Sequence, residues 1–151
     1  MKQKVITFLT ISFPFLITLV LWRLSCPFIN PAGILAIIPI FYCSFIRPVP
    51  YFTAYALLFC FLLDYKFGTV LIWTIFYCIY YVVVNIQTFI DLSHTNKNGL
   101  FAFMTFLAPV ILFIMLHHIG WTSIITSILT FSVLCAMYIP TTFLIKAVKN
   151  D

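Results

Sequence analysis

The stretch LFAFMTFLAPVILFIML, residues Leu100–Leu116, contains no charged side chain and a single polar one, Thr105. A helix that crosses a lipid bilayer needs about 20 consecutive apolar residues, with a range of about 17 to 25. The length and the composition of this stretch are therefore typical of a transmembrane helix. Comparable apolar stretches precede and follow it along the chain, so this pattern decides the class of the whole protein.

The composition of the chain excludes a soluble domain. Of its 151 residues, 64% are hydrophobic and only 7% are charged, and the mean hydropathy is +1.18. Soluble domains carry about 25% charged residues, because water must hydrate their surface. The net charge of +5 comes from basic residues that stand singly between apolar stretches. It therefore indicates an orientation in a membrane rather than a nucleic-acid surface.

Charged residues, prolines and glycines divide the chain into six apolar stretches. The sequence therefore predicts an all-α membrane protein, a compact bundle of six transmembrane helices that forms a single domain over residues 1–151. The predicted spans are Val5–Leu21, Ala32–Ile46, Val49–Leu63, Thr69–Ile90, Leu100–Leu116 and Trp121–Ile145.

The second and third predicted spans are short. Each has about 15 residues, which corresponds to about 23 Å of helix, whereas the hydrocarbon core is about 30 Å thick. They form either a tight hairpin extended by flanking residues or a partly re-entrant pair that neighbouring helices shield. Pro39, in the middle of the second span, lacks a backbone N–H and predicts a kink.

The basic residues predict the orientation, because cytoplasmic loops retain Lys and Arg. With six spans, Arg23 and Lys66 fall on one side of the membrane. The other side holds six basic residues: Lys2, Lys4, Arg47, Lys97, Lys146 and Lys149. Both termini and the loop Asp91–Gly99 are therefore expected in the cytoplasm. We expect the first span to be retained, because no A-x-A cleavage site follows it.

Asp64 ends the apolar stretch of the third span, and two interpretations are open for it. In the first, it is an interfacial turn residue that caps the next helix or pairs with Lys66. In the second, its carboxylate points into the bundle and pins the third span to the fourth. Asp91 and Asp151 lie outside the predicted spans, so no partner carboxylate for a proton relay is expected.

The other polar residues predict structural roles. His117 and His118 are adjacent and point about 100° apart on a helix, so they cannot chelate one metal ion, and His94 lies in a loop. Asn85 and Gln87 lie on different faces of the fourth span and are expected to hydrogen-bond to neighbouring helices.

Signals of catalysis are absent from the sequence. The five cysteines form no C-x-x-C pair, and four of them lie within apolar stretches, which predicts packing roles. No G-x-S-x-G, H-E-x-x-H or glycine-rich phosphate loop occurs. With three acidic residues and three histidines, general acid–base catalysis has few candidates. We expect no enzyme activity, no metal ion and no cofactor.

A more specific pattern runs from the second span to the fourth. Asn30-Pro31 precedes the second span, and Arg47-Pro48 precedes the third. The stretch CFLLDYKFGTVLI, residues Cys60–Ile72, then runs from the end of the third span into the start of the fourth and contains Asp64 and Gly68.

This pattern resembles the rod shape-determining membrane protein family MreD. The signature of that family is approximately G-h-h-h-D-h-x-x-G-x-x-h-G, in which h is an apolar residue. Asp64 and Gly68 match it, and Pro31 and the Arg47-Pro48 pair fall in register. Cys60 and Ile72 stand where the family usually has glycine. A side chain therefore occupies two positions at which glycine would allow helices to approach closely.

The resemblance implies a non-catalytic scaffold of the bacterial cell-elongation machinery in the cytoplasmic (inner) membrane. Members of the family are similar in fold to the substrate-binding subunits of energy-coupling vitamin transporters. They associate with the bitopic membrane protein MreC and, through that complex, with actin-like MreB filaments and the peptidoglycan polymerase and transpeptidase. For this chain the resemblance implies a link between the cytoskeleton and lateral peptidoglycan synthesis that maintains rod shape.

A solute-binding subunit of a membrane transporter would suit the same architecture. Its cavity would be lined by Tyr77, Tyr80, Tyr81 and Asn85 of the fourth span, and a flat aromatic vitamin would fit there. The observation that separates the two functions is an enclosed cavity of ligand size in which polar groups converge.

The six-span topology is testable with reporter fusions. We expect a fusion after Asn98 to report a cytoplasmic location, and fusions after Lys66 or His118 to report an external one. The physical reason is the excess of Lys and Arg on the side that holds both termini. A cytoplasmic signal after Lys66 would contradict the six-span count.

Overall fold

The structure, a computed structural model, describes residues 2–24, 31–88, 99–117 and 120–149. Within these residues every regular element is helical and no strand occurs, so the predicted all-α class is confirmed. The elements are α1 (Lys2–Arg23), a 3₁₀-helix (Pro31–Ala36), α2 (Ile37–Phe41), a π-helix (Tyr42–Ile46), α3 (Phe52–Phe67), α4 (Ile72–Thr88), α5 (Gly99–His117) and α6 (Trp121–Lys149).

The second apolar stretch forms the least regular segment. The 3₁₀-helix, α2 and the π-helix follow one another without a break from residue 31 to residue 46. Pro39 lies within α2 and lacks the N–H that an α-helix needs at that position. The sequence predicts a kink at this proline. The structure accommodates the proline by a change of helix type on either side of α2.

Three helices are long and apolar enough to cross a membrane, judged by length and composition: Gln3–Arg23, Gly99–His117 and Trp121–Val148. The segments Ile34–Ile46 and Ile72–Ile86 are apolar but shorter. α3 has 16 residues, which is about 24 Å of helix. The fold is thus compatible with a membrane protein, and crossing by the three shorter segments stays a prediction.

Aromatic contacts between helices define their relative directions. α1 and α3 run parallel, whereas α4 and α5 run antiparallel. The ring pairs are Phe15 with Phe52 and Trp22 with Phe59 for the first two helices, and Phe76 with Phe113 and Tyr80 with Phe106 for the second two. The end of α1, the end of α3 and the start of α4 therefore lie at the same end of the bundle.

The centre of the bundle is aromatic. Phe41 is fully buried, and its ring centroid lies 5.2–5.7 Å from those of Phe45, Tyr80, Phe103 and Phe106. These rings belong to the π-helix, α4 and α5, so the irregular second segment occupies the middle of the fold.

Large apolar side chains on the outer faces of α1, α5 and α6 are exposed, as expected of helices that face lipid.

Candidate functional site

The carboxylate of Asp64 joins α3 to α4. Its side chain is only 3% exposed. Oδ1 accepts hydrogen bonds from the Thr69 hydroxyl (2.6 Å) and the Trp73 backbone N–H (3.0 Å). Oδ2 accepts from the backbone N–H (2.9 Å) and the hydroxyl (2.7 Å) of Thr74. Both oxygens act only as acceptors in these bonds, which suits an ionised carboxylate.

The position of these donors explains why an acid is buried here. Trp73 and Thr74 are the second and third residues of α4, and the first N–H groups of a helix have no acceptor within the helix. A negative charge at this end also interacts favourably with the helix dipole. Asp64 therefore acts as an N-cap supplied by the preceding helix. This arrangement combines the helix-capping role and the helix-pinning role that the sequence left open.

Gly68 ends α3 through its backbone conformation. It lies in the left-handed region, with φ 65° and ψ 30°, and its N–H donates to the carbonyl of Asp64. The N–H of Thr69 donates to the same carbonyl, at 3.1 Å. A Cβ at Gly68 would meet no atom within 4 Å. The backbone conformation, and not close packing, is therefore what favours glycine at this position.

The loop between α3 and α4 contains two strained residues. Val70 has φ 42° and Leu71 has φ 63°, and each costs on the order of 1–2 kcal/mol because Cβ crowds the backbone in this region. Such conformations persist where the surroundings impose them. Here the bonds of Asp64 to Thr69 before these residues and to Trp73 after them hold the loop.

Lys66 makes a second contact between helix ends. Its ammonium donates to the carbonyl of Trp22, at 3.1 Å, and lies 4.8 Å from the centroid of the Trp22 ring. Trp22 is in the last turn of α1, where a positive charge interacts favourably with the helix dipole. The indole face adds a cation–π interaction. The structure thus places Lys66 on α1, whereas one sequence interpretation pairs it with Asp64.

Three other residues of the family pattern belong to the second segment and to the turn after it. Pro31 begins the 3₁₀-helix. Arg47 and Pro48 form the turn after the π-helix, where the Arg47 N–H donates to the carbonyl of Tyr42 at 2.9 Å. The two residues that replace family glycines are buried and contribute to the core: Cys60 at 0% exposure and Ile72 at 7%.

The four residues expected to line a solute cavity are divided between the core and the surface. Tyr77 is buried, and its hydroxyl donates to Ser44 at 2.9 Å. Tyr80 packs within the aromatic centre. Tyr81 is exposed, and so is Asn85, whose amide donates to the Tyr81 carbonyl one turn earlier.

The described residues contain no group of three His, Cys, Asp or Glu side chains that could hold a metal ion. The ring of His117 lies parallel to that of Phe113, with the centroids 6.5 Å apart. Several residues named in the sequence analysis lie outside the described ranges, or have side chains outside them: Asn30, Gln87, Asp91, His94, Lys97, His118 and Asp151.

Sequence reasoning identified Asp64 but missed its partners. Thr69 and Thr74 follow Asp64 by five and ten residues and supply both hydroxyl bonds to it. The signal that could have found Thr69 is its place as the first residue of the next predicted span, where N–H groups need acceptors.

Comparison with known proteins finds no match among family models, curated proteins or solved structures. The function is therefore inferred from the residues of the chain itself and from the resemblance described above.

We predict that Asp64→Leu destabilises the protein more than Asp64→Asn. Leu removes every acceptor and leaves the N–H groups of Trp73 and Thr74 buried without one, at a cost of about 3 kcal/mol or more. Asn keeps one acceptor oxygen but presents an NH₂ group to the remaining donors, at a cost of about 1–2 kcal/mol. Thermal unfolding in detergent and the folded amount in membranes measure both effects.

Thr105→Val provides the control for the Asp64 variants, because the Thr105 hydroxyl bonds only within its own helix turn and the residue is exposed. This variant should unfold at nearly the wild-type temperature. Equal stability of all three variants would mean that the carboxylate does not hold the junction.

We predict that Gly68→Ala destabilises the protein by about 1 kcal/mol, although the added methyl group meets open space. The cost arises because a left-handed φ is unfavourable for alanine. Gly120→Ala is the matched control, since its Cβ would make only an ordinary contact, 3.9 Å from the Thr122 hydroxyl. The comparison of unfolding midpoints would contradict this account if Gly120→Ala were the more damaging change.

Proposed function

We propose that this chain is a non-catalytic membrane scaffold of the bacterial cell-elongation machinery. In this role it links cytoskeletal filaments to lateral peptidoglycan synthesis and maintains rod shape, as the resemblance to the MreD family implies. The observation that carries the proposal is the structural role of Asp64 and Gly68 between α3 and α4, since these are the two residues that match the family signature. Both serve to build one helix junction, so the most distinctive part of the sequence has an architectural role.

The chemistry of Asp64 supports a scaffold rather than an enzyme. Its two oxygens are occupied by donors of the same chain, and its side chain is almost completely buried. A general base must reach a proton of the substrate, and a nucleophile must reach its target atom. Asp64 therefore has a complete structural role without a substrate.

The proposed location is the bacterial cytoplasmic membrane, with six spans and both termini in the cytoplasm. Three long apolar helices and the exposed apolar faces of the bundle support a membrane location. The contact of Lys66 with Trp22 brings Lys66 close to Arg23, the other basic residue assigned to the external side. α1 and α3 run parallel, as the first and third spans must when successive spans cross the membrane in alternate directions.

The proposed direct partner is an MreC-like bitopic membrane protein. MreB-like filaments and the wall polymerase and transpeptidase would be reached through that partner. Polar surface is scarce in this chain, because only 7% of its residues are charged. Recruitment is therefore expected to use apolar helix faces within the bilayer, where packing of side chains drives helix association.

The division of Tyr77, Tyr80, Tyr81 and Asn85 between core and surface gives little support to the alternative of a solute-binding subunit. Such a subunit needs polar groups that converge on one enclosed cavity. The hydroxyl of Tyr77 is already bonded to Ser44, and the ring of Tyr80 is packed against Phe45.

The function is testable by depletion in a rod-shaped bacterial host. We expect depleted cells to become round, because lateral wall synthesis would lose its connection to the filaments. The wild-type gene should restore rods, and purified protein should retain an MreC-like partner in a pull-down experiment. Microscopy of cell shape and identification of the retained protein provide the measurements.

Asp64→Leu and Thr105→Val serve as paired variants in the same host. The first should fail to restore rods, whereas the second should restore them. Loss of vitamin uptake in depleted cells of normal shape would refute the scaffold and favour the transporter subunit.

A further inference from the structure

The second segment and α3 form a hairpin. The turn of this hairpin lies beside the middle of α1 and not beside the first turn of α1. The ring of Phe15 lies 5.2 Å from that of Phe52 and 4.9 Å from that of Tyr55, centroid to centroid. The Tyr55 hydroxyl also donates to the Phe15 carbonyl, at 2.7 Å. Phe15 follows Lys4 by 11 residues, or about 16 Å along a helix. The turn of the hairpin therefore lies well inside the level of Lys4.

The backbone of this turn is suited to a non-aqueous environment. Within residues 47–51, Pro48 and Pro50 have no N–H to satisfy. The N–H of Arg47 donates to Tyr42, and that of Val49 donates to Cys43 at 3.0 Å. Irregular backbone is tolerated at membrane depth where its polar groups are satisfied within the protein. The turn meets most of this requirement by proline and by internal bonds.

An apolar recess lies between this turn and α1. It has a volume of about 380 Å³ and is lined by Ile11, Phe15, Val49, Pro50 and Tyr51. This size is within the range of ligand sites, which begins at about 300 Å³. The lining offers no charged group, so the recess suits a hydrocarbon chain rather than a polar solute.

Two exposed cations, Lys4 and Arg47, belong to the two elements that line the recess. Lys4 precedes Ile11 by seven residues and Phe15 by eleven, so it lies on the same face of α1, nearer to its start. Arg47 is exposed at the turn itself, within four residues of Tyr51. Both side chains are long enough to place their charge nearer to the membrane surface than their Cα atoms. An apolar recess beneath two cations matches the distribution of charge in an anionic phospholipid.

Tyr51 supports this assignment. Its backbone is in the left-handed region, with φ 63° and ψ 0°, and its side chain is 90% exposed at the rim of the recess. A tyrosine in this conformation is strained, because the region disfavours residues with a Cβ. Amphipathic aromatic rings favour the boundary between lipid tails and headgroups.

We propose that the recess binds an acyl chain of an anionic phospholipid whose phosphate is held by Lys4 and Arg47. The hairpin then ends within the cytoplasmic half of the bilayer, and the lipid fills the space between its turn and α1. The inference rests on the membrane location and orientation proposed above, but not on a role in cell shape.

Native mass spectrometry of the full chain in detergent tests the site. The protein is equilibrated with equal amounts of phosphatidylglycerol and phosphatidylcholine that carry the same acyl chains. The wild type should retain one phosphatidylglycerol in preference to phosphatidylcholine. The double variant Lys4→Gln/Arg47→Gln should bind phosphatidylglycerol about 20- to 30-fold more weakly, since each cation near an anionic lipid contributes about fivefold.

Arg23→Gln/Lys146→Gln is the matched control, because it also removes one Arg and one Lys, at exposed positions of α1 and α6 that do not line the recess. It should retain phosphatidylglycerol like the wild type. Ile11→Trp, which fills the recess but keeps both cations, should also lose the bound lipid. Thermal unfolding in the same detergent checks that each variant is folded.

Equal retention by the wild type and Lys4→Gln/Arg47→Gln would overturn the proposal, as would equal losses in the two double variants. Unchanged lipid retention in Ile11→Trp would place the lipid outside the recess and would also overturn it. Failure of the scaffold role has a different outcome, namely rod-shaped cells after depletion, and that outcome leaves lipid retention unaffected.

Discussion

The bonds of the Asp64 carboxylate to the start of α4 are the interaction on which the arrangement of helices depends. A helix whose first N–H groups are buried must find acceptors for them within the protein. Asp64 provides acceptors for Trp73 and Thr74 from the last turn of α3. The same turn carries Lys66, which meets the opposite requirement at the end of α1 by donating to Trp22. One helix turn thus satisfies the ends of two other helices with two opposite charges.

Two irregular connections lie within the described residues 31–88, and they satisfy their backbone in different ways. In the turn between the second segment and α3, prolines at positions 48 and 50 remove donors from the chain. In the loop between α3 and α4, the donors are present and the Asp64 carboxylate accepts their hydrogen bonds. The second solution requires a fixed geometry, because Val70 and Leu71 must adopt left-handed conformations for Thr69 and Trp73 to reach the same oxygen. The burial of an acid and the strain of the loop are therefore parts of one arrangement.

Local features of the sequence predict the helices well and the contacts poorly. Apolar stretches between charges and prolines locate all six helical segments, because the tendency to form a helix depends on neighbouring residues. The position of Asp64 at the end of a charge-free stretch marks it as special, since an isolated acid at such a place needs partners. Its partners depend on the path of residues 68–71, and no propensity favours left-handed Val70 or Leu71. The role of Gly68 cannot be read from the sequence for the same reason, because a glycine required for its φ and a glycine required for close packing are identical in sequence. Likewise, spacing suggested that Lys66 would meet Asp64, whereas the packing of α3 on α1 brings it to Trp22.

The order of capping along the chain also bears on how the protein is made. Asp64 precedes the N–H groups that it accepts, so during synthesis the acceptor emerges before its donors. In the membrane location proposed above, α4 would follow α3 into the bilayer, and its first N–H groups would meet a carboxylate already present at the end of the preceding helix. The hydroxyl and the backbone N–H of Thr74, ten residues after Asp64, would then donate to that carboxylate. α3 and α4 would therefore insert as a unit, because each supplies hydrogen-bond partners that the other needs.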